Sequence, residues 1–203
     1  PADASGDVVI VLGMQGAGKT SHALRWVEDG YARLNRDELG GTMKKLHRRL
    51  DELLGSGGTR VVLDNTYPSA AVRNEVVEVA WRHGVPVRVI WVNTPIEDAR
   101  IGVVQRILDG HGRLLDPDEL RTLGKRDPAV LPPSVHARYA RVFETPRPDE
   151  GFEVEEVPFV RRPSTSAPWV VLDVGALPSG SAARARVGRE LRALGDAVAG
   201  FHW

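Results

Sequence analysis

The eight residues Gly13-Met-Gln-Gly-Ala-Gly18-Lys19-Thr20 follow directly on Val8 to Leu12, an unbroken run of five apolar residues. Such a run reads as a strand buried on both faces, and the residues after the motif, about Lys19 to Glu28, read as a helix. Glycines spaced this way between a strand and a helix let successive backbone N–H groups turn inward around a di- or triphosphate, helped by the helix N-terminus. Lys19 then supplies a point charge to the β- and γ-phosphates, and the Thr20 hydroxyl is a ligand for Mg²⁺. Gly13, Gln15, Gly16, Ala17, Gly18, Lys19 and Thr20 are the candidate nucleotide-binding residues. Nothing resembling Asn-Lys-x-Asp, which specifies guanine, follows, so ATP is the expected nucleotide rather than the GTP of a switch-type GTPase.

The rest of the chain alternates strand-like and helix-like segments. Ala32 to Asn35, Arg60 to Asp64 and Val85 to Val92 read as strands; Asp37 to Leu54 and Ser69 to His83 read as helices, and another opens at Pro95 with Glu97 and Asp98 in its first turn. That alternation predicts an α/β fold, a parallel sheet with helices on both faces. Asp109 to Pro133 is dense in Gly, Pro, Arg and Asp and reads as a loop or helical lid, Ser134 to Phe143 as a helix, and Phe152 to Phe159 as a last strand. Residues 1–162 are thus expected to form one domain with a lid at about 109–133. A linker at Arg161 to Pro168 leads to a strand–helix extension over 163–203.

Composition narrows the function classes. The 203 residues contain no Cys, which excludes disulfide frameworks, thiolate zinc sites and Cys nucleophiles and fits a reducing compartment, so a cytoplasmic location is expected. His22, His47, His83, His111, His136 and His202 are scattered without ligand spacing and read as surface or structural residues. No stretch approaches the ~18 apolar residues that span a bilayer, so no membrane partner is expected. The start at Pro1 and the end at Phe201-His-Trp203 point to a piece of a longer parent chain.

With 27 Lys+Arg against 27 Asp+Glu, the formal charge is zero, which argues against bulk basic attraction to nucleic acid. The zero conceals blocks: Ala99 to Arg141 carries eight basic against five acidic residues, and Glu144 to Glu156 one against six. The basic block coincides with the expected lid, where Arg106, Arg113, Arg121, Lys125 and Arg126 lie. A solvated face is the commoner fate of any one of them, but at least one is needed to neutralise charge on a transferring phosphoryl group.

Two further motifs sit at predicted strand ends: Asn35-Arg36-Asp37-Glu38-Leu39-Gly40 after the second strand and Asp64-Asn65-Thr66 after the third. In an open α/β sheet the carboxyl ends of the strands line the ligand crevice, so both carboxylates are expected to face the phosphates. Asp37 suits a general base for an acceptor hydroxyl, and also the N-cap of the next helix. Asp64 suits either a carboxylate that binds Mg²⁺ through water or an acceptor-side role.

Together these motifs resemble a known family. The phosphate loop, Leu34-Asn-Arg-Asp-Glu-Leu-Gly40, Val61-Val-Leu-Asp-Asn-Thr-x-Pro68 with Arg73, and His83-Gly-Val-Pro-Val-Arg88 look like the P-loop kinase domain of polynucleotide kinase/phosphatases. The likeness continues through Leu131-Pro-Pro-Ser-Val, Phe143-Glu-Thr-Pro, Glu150-Gly-Phe and Val157-Pro-Phe159, so it covers roughly Val8 to Phe159.

The resemblance implies ATP- and Mg²⁺-dependent phosphorylation of the 5′-hydroxyl of a DNA or RNA end, in end repair. It implies Lys19 and Thr20 on the triphosphate and metal and Asp37 as general base; Asp64, Asn65 and Thr66 are substrate-binding candidates, and Asp64 is with Thr20 a candidate for the metal as well. Arg36 and Arg73 become candidates for the acceptor's phosphate, and Arg106 for a lid arginine on the donor phosphates. Some members carry Arg where this chain has Gly40, which moves weight onto Arg73. Kinase domains of this family often travel with a phosphatase or ligase domain. Two other readings stay open from the residues: a kinase for a small-molecule hydroxyl such as a sugar, nucleoside or antibiotic, and a regulatory or toxin-like nucleotide-binding module. A groove open to a chain, with basic residues for internucleotide phosphates, would separate the first reading from the second.

Overall fold

The structure, a computed structural model, describes residues 6–127, 129–131 and 134–160. The strand and helix expected beyond residue 163 lie outside the described residues. One compact unit is built from the chain up to Val103 together with Leu131–Phe159, and a second contains Val104–Val130.

The first unit is a five-stranded parallel sheet in the order β2-β3-β1-β4-β5, formed by β1 (Val8–Leu12), β2 (Ala32–Leu34), β3 (Val61–Asp64), β4 (Val87–Asn93) and β5 (Glu153–Pro158). β1 is central and pairs with β3 on one side and β4 on the other. All five of its residues are buried, as its continuous apolar run predicts.

Strand alternation divides those residues between two core layers. Val8, Ile10 and Leu12 pack with Leu46 and Leu50 of α3 (Met43–Gly55) and Val76 and Ala80 of α4 (Ala70–Arg82). Val9 and Val11 pack on the opposite face with Ala23 and Trp26 of α1 (Lys19–Glu28). The chain leaves β1 toward β2 on one flank and later adds β4 and β5 on the other, so the sheet switches direction at β1, where open α/β sheets place their ligands.

Two segments differ from the sequence expectation. The single helix expected over Asp37 to Leu54 is two: α2 (Arg36–Leu39) and α3. Gly40 and Gly41 between them have φ of 64° and 108°, a left-handed backbone that ends a right-handed helix. Thr42 restarts it, its hydroxyl accepting from the Lys45 N–H at 3.3 Å.

The region from Asp109 is also more ordered than its composition suggests. α5 (Ile96–His111) runs into it, and α6 (Pro117–Leu123) follows. Asp116 caps α6 and Glu119 returns a bond to the Asp116 N–H at 2.9 Å, a capping box encoded by Asp116-Pro-Asp-Glu119. The next helix, α7 (Ser134–Val142), leads back through a 3-10 turn at Pro148–Glu150 to β5. No helix among the described residues is long and apolar enough to cross a membrane.

Candidate active site

The loop after β1 curls as its glycines require. Gly18, with φ of 89°, occupies the left-handed conformation that turns the chain into α1. The Lys19 ammonium folds back to the Met14 carbonyl at 2.8 Å, and Thr20 is exposed in the first turn.

Three braces hold the loop from behind. The Thr94 hydroxyl at the end of β4 donates to the Ala17 carbonyl at 3.0 Å. His136 of α7, 2% exposed, donates from Nε2 to the Gln15 carbonyl at 2.9 Å. Gly16 lies against α5 so closely that a Cβ there would stand 2.1 Å from the Ala99 carbonyl oxygen, and one on Gly102 2.3 Å from the Gly16 carbonyl oxygen. The two hydrogen-bonded braces take up loop carbonyls and no loop N–H; of the loop donors, the Ala17 N–H bonds within the loop to the Met14 carbonyl at 3.2 Å.

Opposite the loop, the two strand-end motifs are bonded into one unit. Asn35, not Asp37, caps α2: its Oδ1 accepts from the N–H groups of Asp37 at 2.8 Å and Glu38 at 3.2 Å. Its Nδ2 donates to the Asp64 carbonyl at 2.8 Å, and the Arg36 N–H donates to Asn65 Oδ1 at 3.1 Å. The capping duty expected of Asp37 as an alternative therefore falls to the extended residue two positions earlier. The Asp37 side chain is 50% exposed, with Oδ1 accepting from Arg36 Nη2 at 3.1 Å. An exposed pair of this kind is worth under about 1 kcal/mol, so Arg36 can change partners cheaply.

Asp64 stands in register with Val11, one residue short of the end of β1, which brings it beside the root of the phosphate loop. Its side chain is 2% exposed and Oδ2 accepts from Arg33 Nε at 3.2 Å and Nη2 at 2.6 Å. Thr66 is half-buried, its carbonyl facing the Tyr139 hydroxyl at 3.5 Å.

Arg73 departs from its expected place. It is 0% exposed: Nε and Nη2 each donate to Glu150 at 2.8 Å, while Nη1 donates to the carbonyls of Tyr67 at 3.2 Å and Glu144 at 2.9 Å. Its guanidinium is a structural tie between the β3–α4 turn and the segment before β5, and it offers nothing to an acceptor phosphate.

In the second unit, Arg106 is exposed on α5. Arg113 donates to both Glu119 oxygens, at 2.9 and 2.5 Å, and Arg121 pairs with Asp118. The segment is rich in arginine by sequence, yet these two guanidiniums are taken up by carboxylates of α6. Arg113 holds the Glu119 carboxyl down to about 2, with the Asp116 N–H adding to the effect.

Sequence reasoning passed over Arg33, Thr94 and Gly102; His136, read there as surface or structural, is buried and structural. Only Gly102 carried a local signal, a glycine in the middle of a helix, which usually marks close packing.

A groove of about 470 Å³ begins at Thr42, just past α2, and is lined by Lys44, Lys45, His47, Arg48 and Arg82 with Asp51. Among the described residues no three His, Cys, Asp or Glu come together as a metal cluster. A hydroxyl and one carboxylate, Thr20 and Asp64, still match what Mg²⁺ takes from a protein, since it keeps most of its waters and uses substrate phosphates.

Comparison with known proteins agrees with this geometry. The bifunctional polynucleotide phosphatase/kinase of Schizosaccharomyces pombe is 29% identical over 155 residues, which are 75% of this chain and 34% of that protein, so the chain spans about a third of its relative's length. A fungal RNA kinase structure superposes with a TM-score of 0.54 at 12% identity, over 80% of this chain and 79% of the other. A gluconokinase from Sinorhizobium meliloti superposes with a TM-score of 0.51 at 17% identity, over 77% and 85%. These two share the fold, that of nucleotide-binding P-loop kinases. The family profile described as AAA domain matches residues 8–123, more than half of the chain, and the protein belongs to that family, as a P-loop kinase domain.

Proposed function

We propose that the protein transfers the γ-phosphate of ATP to the 5′-hydroxyl of a DNA or RNA end, with Asp37 as general base. The observation that carries this reading is the bonding of α2 onto the end of β3. It leaves the Asp37 carboxylate half-exposed at the carboxyl ends of the strands while its backbone is held by Asn35. A carboxylate that is accessible but fixed in place suits proton removal from an incoming hydroxyl.

The loop N–H groups and Lys19 hold the triphosphate. Thr20 and Asp64 hold Mg²⁺, which neutralises charge on the phosphates when bound. Arg36, beside Asp37, takes the acceptor's first phosphate, and Asn65 and Thr66 border the same crevice. Arg106 remains the candidate for the donor phosphates.

The groove along α3, which follows α2 directly in the chain, supports a polymer over a small hydroxyl compound, because it gathers Lys44, Lys45, Arg48 and Arg82, the last two pairing with Glu52 and Asp51. The 29% identity to a protein named as a polynucleotide phosphatase/kinase supports the same acceptor class, and suggests a phosphatase in the parent chain.

The test is transfer from γ-labelled ATP to 5′-hydroxyl DNA and RNA oligonucleotides, with gluconate and nucleosides as competitors for the assignment. The wild type labels an oligonucleotide and Asp37→Asn loses at least about 10²-fold in kcat. Labelling of small hydroxyl compounds alone, or full activity in the variant, overturns the reading.

A further inference from the structure

We infer that Arg33 is a positioning residue for the transfer, acting through Glu38 and Asp64 on the placement of Asp37; this rests on the role proposed for Asp37. Arg33 lies on β2 in register with Val62, so Asp64, two residues further along β3, is its diagonal neighbour on the same face of the sheet. Its guanidinium divides between two partners. Nε and Nη2 reach Asp64, and Nη1 reaches Glu38 at 2.5 Å.

Only a planar fork with three separate nitrogens joins the end of a strand to the next helix in this way; the single ammonium of lysine cannot span both. The two ends differ in setting. Asp64 is 2% exposed and cannot be left without a cation, whereas Glu38 is 64% exposed and gains little stability from the pair. An exposed carboxylate held by a buried-side guanidinium does little for folding. What it does is fix α2, a helix of four residues too short to hold itself, at a set angle to the β3 end. Asp37 is the residue between Arg36 and Glu38, so the angle of α2 sets where its carboxylate stands.

The division of labour makes Glu38→Gln the informative variant, since it cuts the arm to α2 and leaves the buried pair with Asp64 intact. Amide hydrogen exchange reads the clamp directly through Arg36, Asp37, Glu38 and Leu39, whose N–H groups bond Asn65 and Asn35. We expect Glu38→Gln to keep the wild-type melting temperature, to speed exchange at these amides, and to lower kcat about tenfold with the KM for ATP unchanged. In an Asp37→Asn background the same change lowers kcat no further, because the residue it positions has gone.

Unchanged exchange in Glu38→Gln overturns the inference whatever the acceptor proves to be. Faster exchange with wild-type kcat, or an equal loss in the Asp37→Asn background, overturns it too. A wild type that phosphorylates no oligonucleotide refutes the acceptor class instead. The clamp is then judged by exchange and by kcat on whichever hydroxyl is phosphorylated.

Discussion

Gly16 of the phosphate loop and Gly102 of α5 meet backbone to backbone, with 2.3 Å separating the Gly16 carbonyl oxygen from the place a Gly102 Cβ would occupy. Two effects compete when that hydrogen becomes a methyl group. Helix propensity alone makes Gly102→Ala stabilising by about 1 kcal/mol. The contact is with main chain, which has no rotamer to yield, and overpacking of this kind costs about 1–3 kcal/mol. We expect the clash to win. Thermal melts of Gly102→Ala should fall below the wild type, and titration with a fluorescent ATP analogue should show weakened binding, because the loop is the part that moves.

Arg73 offers the opposite lesson, a charge that belongs to the fold. Removing one partner from a buried pair leaves the other uncompensated, at about 3–5 kcal/mol. Arg73→Met should therefore lower the urea midpoint strongly, and Arg73→Lys should recover only part, since Lys cannot bond both Glu150 oxygens. Were Arg73 an acceptor-binding residue, Arg73→Lys would raise the KM for an oligonucleotide and leave the midpoint where it was.

The groove past α2 yields a prediction about salt. Each phosphate neutralised by a protein cation adds about −0.7 for a single strand to the slope of log affinity against log salt. Lys44→Ala and Arg48→Ala should each raise the oligonucleotide KM and flatten that slope by about one contact's worth, with the KM for ATP unaffected. Steady-state kinetics from low to moderate ionic strength would show it.

In the second unit, the Glu119 carboxyl sits at about 2 against an ordinary 4.5. A depressed carboxylate favours the folded form above its unfolded pKa, and that contribution disappears as pH falls through the folded value. The Arg113–Glu119 tie, and the bond Glu119 accepts from the Asp116 N–H, should thus be intact above about pH 4.5 and lost on approaching pH 2. A carbon-detected NMR titration of the Glu119 carboxyl should find its midpoint near 2, and Arg113→Ala should return it toward the ordinary 4.5 without reaching it, since the Asp116 N–H bond remains.

The sequence carried the cradle because every requirement for it is local. Gly13 to Thr20 need only a preceding strand and a following helix, and both announce themselves in the residues beside them. The joining of the two strand-end motifs, through Asn35 to Asp64 and Arg36 to Asn65, was legible one step less directly, from the rule that strand ends share a crevice. The break at Gly40-Gly41 was hidden because the apolar period of α3 continues to read plausibly across it, and a period carries no sign of φ. Arg73 was misplaced for a different reason. Its partner, Glu150, is 77 residues away, and nothing in either neighbourhood distinguishes a guanidinium bound for the interior from one bound for a phosphate. Arg33 escaped notice, and the partner of His136 with it, on the same ground, since each takes its meaning from a contact across the sheet or from a returning helix.

Gly102 and His136 also flank the stretch that contains residues 104–130, and both rest on consecutive residues of one loop, Gly16 and Gln15. The segment between them is therefore a closed circuit with both ends pinned at nearly the same spot. Closing a flexible circuit depends only logarithmically on its contour, about 0.6 kcal/mol for each doubling. Insertions, deletions or wholesale exchange within residues 104–130 thus cost the cradle little so long as the two pins survive.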